Sequence, residues 1–440
     1  MMGQLYVYVC YPASTYQQLQ ISPYVANGFK YPTALGLLHY TATESFPIFR
    51  SGNVFIMTDL VHPRKAWQLH LSTLERHASF FALALCKHVD CGGDSGQWLY
   101  FLVAEEGGKV MLVEQARGGD QLTFGYGTSS NDPLSGHVLI KVEDTEASAP
   151  VSQDMMPAVS IPNEKHQDIV NAYDQIFGAF YNIPLRIPSD KIETALIVSE
   201  QLVNIACDVG CMALVESHIG NALLQFRQAL FVAIKTDPPR WLKLAFHLKN
   251  DSIYTEALIH LVGAHPCWPW STKRDVLPEG ISRLIARKSV DLDQMCLEVE
   301  REILLVTIQV HKGPVEPQKT GQFDTWFIVQ TFRDILAREF NGLDRQSDSK
   351  RAMARGAMYR KMKSGAYMPP EEMRRLMQQV MPGAVDSLEE DLGMLKEYGS
   401  EIVADLAKNE LMLPVEAHKI GYLTCSKVGR EDIPWRAIRG

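Results

Sequence analysis

The stretch that decides the fold is residues 51–81, SGNVFIMTDLVHPRKAWQLHLSTLERHASFF. The turn-forming pair Ser51-Gly52 precedes a short apolar run from Val54 to Met57, which predicts a buried strand. Residues 59–65 contain a proline and two basic side chains and predict a turn. Residues 66–69 then predict a second strand, so that the two strands form a hairpin.

The elements after this hairpin define the fold class. From His70 to Leu85 the apolar residues recur at helical spacing, which predicts a helix. Residues 98–104 and 109–115 flank a Glu-Glu-Gly-Gly tip and predict a second hairpin, and residues 134–143 predict a further strand. From Lys165 onward the pattern is mainly helical. We therefore expect an α+β protein, with a small sheet and helices followed by a mostly α-helical C-terminal region.

Capping and breaking residues predict several helix ends in this region. Ser189 is expected to cap a helix that ends at Gly210, and Asp251 to open another. Pro278 is expected to begin a long helix that runs to Val310 and is closed by Gly313-Pro314. Further helical patterns are predicted at 324–340, 373–380 and 388–406, followed by a tail at 411–435.

Composition limits the class of protein. The chain has 440 residues, of which 46% are hydrophobic, enough for a sizeable core in about two or three domains. The formal net charge of −8 gives no general attraction to nucleic acid, and eight thinly spread cysteines indicate a reducing compartment. No apolar stretch approaches the roughly 20 residues of a membrane span, and the N-terminal stretch lacks the pattern of a signal peptide. We expect an intracellular protein of the cytoplasm or nucleus, without a membrane segment.

Several short motifs occur in the order and spacing of one family. Gly52 to Met57 is followed by Trp67 to His70, then by Leu74 and Phe80-Phe81. Residues 176–182, IFGAFYN, and a later pair of helical patterns at 199–224 complete the series. Together these stretches resemble a BTB/POZ domain. In that family a strand hairpin leads through a histidine into a helix, a later helix ends in an aromatic-Tyr step, and a helical hairpin closes the domain.

The resemblance implies a division of the chain. It implies a BTB/POZ-like domain at 46–224 with an insertion at about 92–165, and the composition of residues 1–45 predicts a poorly ordered leader before it. A helical domain at 225–342 and a helical extension and tail at 343–440 follow, a layout similar to that of fungal BTB-bearing proteins. The residues that carry the fold signature are Val54, Ile56, Leu69, His70, Leu74, Phe81, Phe180 and Tyr181.

The resemblance also implies the function of a protein-protein interaction adaptor rather than an enzyme. Partners of such domains include cullin-type ubiquitin-ligase scaffolds, transcriptional co-repressors and other BTB chains. Asn53, Ala78 and Ile183 stand where the family usually has Asp, Ser and Gly. The leucine-rich helix of the dimerising subset is not evident before Phe46, so homodimerisation by that route is not expected.

Other motifs have simpler interpretations than a chemical site. Cys86 to Cys91 holds several potential metal ligands but no C-x-x-C unit, which favours a helix end running into a loop. Cys207 and Cys211 are expected to be small buried apolar residues. Gly125-Tyr126-Gly127 lacks the third glycine of a dinucleotide site. We therefore predict no catalytic residue, no metal and no cofactor.

Two other functions remain open on the sequence. One is an enzyme or small-molecule binder whose site lies in the helical half, near Trp268-Pro269-Trp270 and Trp326. The other is a DNA-associated regulator that uses the basic stretch from Lys350 to Lys363. A solvated helix face is the simpler interpretation of that stretch, and binding to nucleic acid is not our expectation.

Overall fold

A computed structural model of the chain describes residues 38–41, 46–47, 49–89, 97–105, 109–114, 123–125, 137–141 and 164–437. The chain divides into two compact units between Leu223 and Leu224, one residue before the predicted boundary. Each unit is described by itself below. The predicted fold class is confirmed: the described residues form a small four-stranded mixed sheet with helices, followed by a mostly helical region.

Unit 1 contains two sheets within its described residues. Its strands are Leu38–Thr41 (β1), Val54–Thr58 (β2), Lys65–Leu69 (β3), Trp98–Ala104 (β4), Val110–Glu114 (β5), Thr123–Gly125 (β6) and His137–Lys141 (β7). The larger sheet has the order β3-β2-β4-β5, in which β2 pairs antiparallel with β3 and parallel with β4. The smaller, antiparallel sheet has the order β1-β7-β6.

Two predicted segments of unit 1 differ from the structure. Strand β1 lies inside the range 1–45 that was expected to be a leader, and the rest of that range is outside the described residues. Strands β4 and β5 lie inside the predicted insertion at 92–165, yet β4 pairs with β2 in the interior of the sheet. A parallel pair needs a crossover connection, and the helices between β3 and β4 supply it.

Five helices complete the described part of unit 1, the last of them ending at the boundary. They are Leu71–His77 (α1), Ser79–Val89 (α2), Glu164–Ala179 (α3), Ile192–Val209 (α4) and Met212–Leu224 (α5). The predicted helix from His70 is broken at Ala78, whose backbone is extended. Gly210 ends α4 with φ of 76°, as expected, but the predicted Ser189 cap is wrong because Lys191 is the N-cap.

One face of the larger sheet is buried beneath helices. Side chains alternate between the faces of a strand. The inward positions of β2 and β3 and the first three of β4 are buried, while the outward positions of β3 and β4 are half-buried. The ring of Phe177 on α3 meets Trp67 edge-to-face at 5.3 Å, and Phe81 on α2 meets Tyr100 at 5.3 Å. The core of unit 1 therefore lies between this face and its helices.

Unit 2 is mostly helical. Its helices are Gln228–Thr236 (α6), Pro238–Leu248 (α7), Asp251–Ala264 (α8), Glu279–Leu305 (α9), Phe323–Asp344 (α10), Asp348–Lys363 (α11), Pro370–Val380 (α12), Leu388–Ile402 (α13) and Pro434–Ala437 (α14). The predicted continuation of α9 to Val310 is wrong. Instead Gln309–Val310 (β8) and Gly313–Pro314 (β9) pair across a tight turn whose two central residues have positive φ.

Helix α8 is the centre of unit 2. Asn250 caps it through a bond from the Ile253 N–H, and nearly every residue from Ile253 to Ala264 is buried. Residues 409–433, which we call the C-terminal segment, pack against α8 and α11. The Ala357 N–H on α11 donates to the Gly421 carbonyl at 2.8 Å. The predicted division at 342/343 is not seen as a unit boundary, since α10 crosses it.

The close approach of the C-terminal segment depends on a glycine of α11. A Cβ atom on Gly356 would lie far inside van der Waals distance of the Tyr422 carbonyl oxygen, whereas nothing lies within 4 Å of one on Gly342 of α10. We expect Gly356→Ala to lower the free energy of unfolding by about 1–3 kcal/mol through overpacking. The matched Gly342→Ala should raise it by about 0.5–1 kcal/mol. Chemical denaturation followed by circular dichroism measures both, and equal effects would contradict this packing.

Candidate functional site

The fold-signature residues lie in the interior of unit 1. The side chains that are buried are Val54, Ile56, Leu69, Leu74, Phe81 and Phe180. Val54 faces Leu69 across the β2–β3 pair. His70 and Tyr181 are half-buried. These positions hold the module together, and the six buried ones are not available to a partner.

The hydrogen bonds of His70 join distant parts of the chain. The backbone N–H of His70 donates to the Tyr181 hydroxyl at 2.9 Å, and the same hydroxyl lies 3.2 Å from His70 Nδ1. The ring of Phe49 stacks on Tyr181 with centroids 3.9 Å apart. Burial raises the pKa of the Tyr181 hydroxyl, which keeps it protonated and able to donate. The end of α3 is therefore fastened to the start of α1.

Asn53 completes this junction. Its Oδ1 accepts a hydrogen bond from the Leu71 N–H at 2.9 Å, although it lies well before the helix in sequence. His70, the N-cap residue of α1, provides no side-chain cap itself. Asn53 thus satisfies one of the free N–H groups at the start of α1. The three neighbourhoods around Asn53, His70 and Tyr181 touch one another directly.

A buried ion pair, which the sequence analysis missed, links the sheet to α3. Lys65 was assigned to a turn, and this assignment is wrong: it is the first residue of β3 and points to the buried face. Its ammonium pairs with one oxygen of Asp174, and the Trp67 indole N–H donates to the other at 2.6 Å. Burial lowers the pKa of Lys65, and Asp174 opposes that shift. The sequence did contain a signal for this pair, because Asp174 is an acidic residue between Tyr173 and Phe177 on the apolar face of α3.

The surface of unit 1 offers two large apolar side chains within its described residues. Leu83 on α2 is 44% exposed and Ile197 on α4 is 51% exposed. Neither was singled out in the sequence, because periodicity places residues on a helix but does not tell which face a neighbouring helix covers. Exposed apolar side chains of this kind can anchor a protein partner.

A buried polar cluster lies beneath the C-terminal segment of unit 2. The Tyr422 hydroxyl lies 2.7 Å from His260 Nδ1, and His260 Nε2 lies 3.9 Å from Glu256 Oε1. The Met412 N–H donates to the other carboxyl oxygen of Glu256 at 2.9 Å. Burial raises the pKa of Glu256 to about 7 and lowers that of His260 to about 3. All three side chains are shielded from solvent, so the cluster holds the segment in place.

The tryptophans near which the sequence left a small-molecule site open take part in packing. The Trp268 indole N–H donates to the Thr272 carbonyl at 2.7 Å. Trp270 meets the ring of Trp268 edge-to-face at 5.5 Å. The Arg274 guanidinium lies 4.9 Å from the centroid of the Trp268 ring. Trp326 is half-buried near Phe323.

The basic stretch from Lys350 lies on α11, and two of its arginines are drawn into the protein. Arg355 pairs with Asp293, and Arg360 pairs with Glu416 at 2.9 Å. Their side chains are only 12% and 9% exposed. Arg360 also donates to carbonyl oxygens of the C-terminal segment. These two arginines therefore serve the fold of unit 2, while the exposed lysines of the stretch remain open to a ligand.

Some predicted motifs fall outside the described residues. Asp90 and Cys91, the side chains of Cys86 and His88, and Tyr126-Gly127 all lie there. Cys211 is buried as expected, which raises its pKa to about 12, whereas Cys207 is half-buried rather than buried. Among the residues that the structure does describe, no group of three or more His, Cys, Asp or Glu side chains is arranged to hold a metal ion.

Comparison with known proteins gave no match, whether against protein-family models, curated proteins or solved structures. None of the helices in the described ranges combines the length and the apolar composition that crossing a bilayer requires.

The raised pKa of Glu256 predicts a specific dependence of stability on pH. Between its ordinary value of 4.5 and about 7, the folded state holds a proton that the unfolded chain releases, so stability falls as pH rises through this window. Above pH 7 the buried carboxylate costs about 3 kcal/mol. Glu256→Gln keeps an acceptor for the Met412 N–H and removes this cost. It should exceed the wild type in stability at pH 8 and match it near pH 4.5.

The control for this measurement is Glu302→Gln, on the exposed face of α9. Its free energy of unfolding should differ from that of the wild type by a constant amount from pH 4.5 to 8. His260 titrates in the opposite sense, since its lowered pKa removes stability as pH falls below 6.5, and it is present in all three proteins. A Glu256→Gln advantage that stays constant with pH would contradict the raised pKa.

Proposed function

We propose that the chain is a protein-protein interaction adaptor of the BTB/POZ type, in which unit 1 binds a protein partner and unit 2 provides a second surface. The observation that carries this proposal is the contact between His70 and Tyr181. These two residues belong to separate motifs of the resemblance, 111 positions apart, and they meet in one module. A chance match of short motifs gives no reason for such a meeting.

The order of elements supports the same proposal. The β2–β3 hairpin leads through His70 into α1 and α2, and α3 runs into Phe180-Tyr181. The α4–α5 pair then follows. This is the order that the resemblance implies: a strand hairpin, a helix entered through a histidine, a helix that ends in an aromatic-Tyr step, and a closing helical hairpin.

The departures from the family pattern are accommodated by the local structure. Asn53 still accepts a hydrogen bond at the start of α1 through its amide oxygen. Ala78 is buried at the break between α1 and α2, where a small side chain is needed. Ile183 lies against Gly178, and a Cβ atom on Gly178 would touch the Ile183 side chain. The module is thus compatible with all three substitutions.

The partner belongs to one of three classes that the resemblance implies: a cullin-type ubiquitin-ligase scaffold, a co-repressor or another BTB chain. Such a partner places the protein in the cytoplasm or nucleus. Leu83 and Ile197 are the apolar side chains through which unit 1 can anchor it. An enzyme or small-molecule site at the tryptophans has less support, because Trp268 is bound by Thr272 and Arg274.

The test uses the full chain as bait in cells, with chemical cross-linking before capture and mapping of the linked residues. We expect a protein partner whose cross-links fall on unit 1. Leu83→Asp or Ile197→Asp should reduce its capture at least tenfold, while Val290→Asp, a 65% exposed position on α9, should not. Circular dichroism of each variant checks that the fold is intact. Partners linked solely to unit 2, or capture unaffected by both unit 1 variants, would count against the adaptor proposal.

A further inference from the structure

Unit 2 contains a cavity of about 280 Å³ where α12 faces α13. Residues of both helices line it, and Gly365, just after α11, forms part of its wall. This volume is slightly below the range of about 300–1,000 Å³ that is usual for ligand sites, so it suits a small molecule. The cavity lies within unit 2, and the tryptophans discussed above are not among the residues that line it.

The floor of the cavity is apolar. Leu388 and Leu392 line it, and 3% of each residue is exposed. Gly393 also lines it, and nothing lies within 4 Å of where its Cβ would be. A Gly in the interior of α13 is unfavourable by roughly 0.5–1 kcal/mol relative to Ala. Here the missing side chain leaves open space above an apolar surface.

The rim of the cavity carries two cations, Lys396 and Arg374, and one acidic residue, Glu389. Lys396 reaches it across Gly365, and its Nζ lies 3.4 Å from the Met368 carbonyl and 5.6 Å from the centroid of the Tyr367 ring. Within the described part of the chain no carboxylate lies at ion-pair distance from Lys396, and burial alone lowers its pKa. An ammonium that has lost water without gaining a counter-ion is a favourable place for an anion.

Arg374 is the second cation, and its existing partner is easily displaced. It meets Glu389 at 3.4 Å, and the Glu389 side chain is 84% exposed. An ion pair this exposed contributes about 0–1 kcal/mol, so a ligand anion can replace the carboxylate at small cost. The arginine can then bind a carboxylate or phosphate through two N–H groups at once.

We propose that this cavity is a binding site for a small carboxylate or phosphate ester that carries an aromatic or short aliphatic group. The apolar group lies on Leu388 and Leu392 in the space left by Gly393, and the anion lies between Lys396 and Arg374. The loop between α11 and α12 supports this geometry, since Gly365 and Met368 both hold positive φ there. This proposal stands apart from the adaptor function and does not depend on it.

The experiment titrates the full chain with benzoate and phenyl phosphate by calorimetry at constant ionic strength. Benzyl alcohol tests the apolar group alone, and inorganic phosphate tests the anion alone. We expect both aromatic anions to bind in the millimolar range or tighter, and each of the other two probes to bind at least tenfold more weakly. Thermal unfolding with and without each probe gives an independent readout.

Variants locate the binding. Lys396→Met and Arg374→Gln should each weaken it at least tenfold, and Gly393→Leu should abolish it by filling the space while leaving the helix folded. The matched controls are Arg375→Gln, the adjacent arginine outside the cavity lining, and Gly342→Leu, a helical glycine with open space elsewhere. No binding of either aromatic anion by the wild type, or binding that survives Gly393→Leu, would overturn the proposal.

Discussion

The ion pair between Lys65 and Asp174 is the constraint on which unit 1 depends. The alternation of side chains along β3 directs Lys65 into the buried face of the sheet, where an unpaired ammonium would be very unfavourable. A carboxylate on the covering helix offsets this cost, and α3 provides it 109 residues later. Because Trp67 binds the other oxygen of the same carboxylate, α3 docks in one position. That position brings Phe177 onto Trp67 and the end of α3 onto His70.

Unit 2 also buries polar side chains, and its C-terminal segment covers them. Helix α8 carries Glu256 and His260 on a face that would otherwise be exposed, and the C-terminal segment covers both. The segment gives each of them one hydrogen bond, through a backbone N–H and through the Tyr422 hydroxyl, while Gly263 and Gly356 let its backbone come close. The same segment meets α9 through Asp432, which pairs with Lys288 at 2.7 Å. A tail with an alternating pattern in sequence is thus held by polar contacts as well as by apolar packing on α8.

The elements with strong local patterns could be predicted from the sequence. The apolar run at Val54 predicted β2, and Gly210 predicted the end of α4. Both predictions rest on local backbone preference and side-chain periodicity. The role of Lys65 could not be predicted, since its burial depends on a partner far along the chain. The parallel pairing of β4 with β2 is non-local in the same way. The end of α9 at Leu305 could not be predicted because the apolar residues Val306 and Ile308 continue the helical pattern. Both are buried, but they lie between α9 and the β8–β9 hairpin.

The most direct test of this account is hydrogen exchange of backbone amides in the full chain, comparing the wild type with Asp174→Asn. Leaving Lys65 buried without its counter-ion should lower stability by about 3–5 kcal/mol. We expect amides of β2, β3, α1 and α3 to lose protection by the same free energy, and Lys65→Met combined with Asp174→Asn to recover most of it. Loss of protection confined to α3, with β2 and β3 unchanged, would show that the two parts of the chain do not form one module.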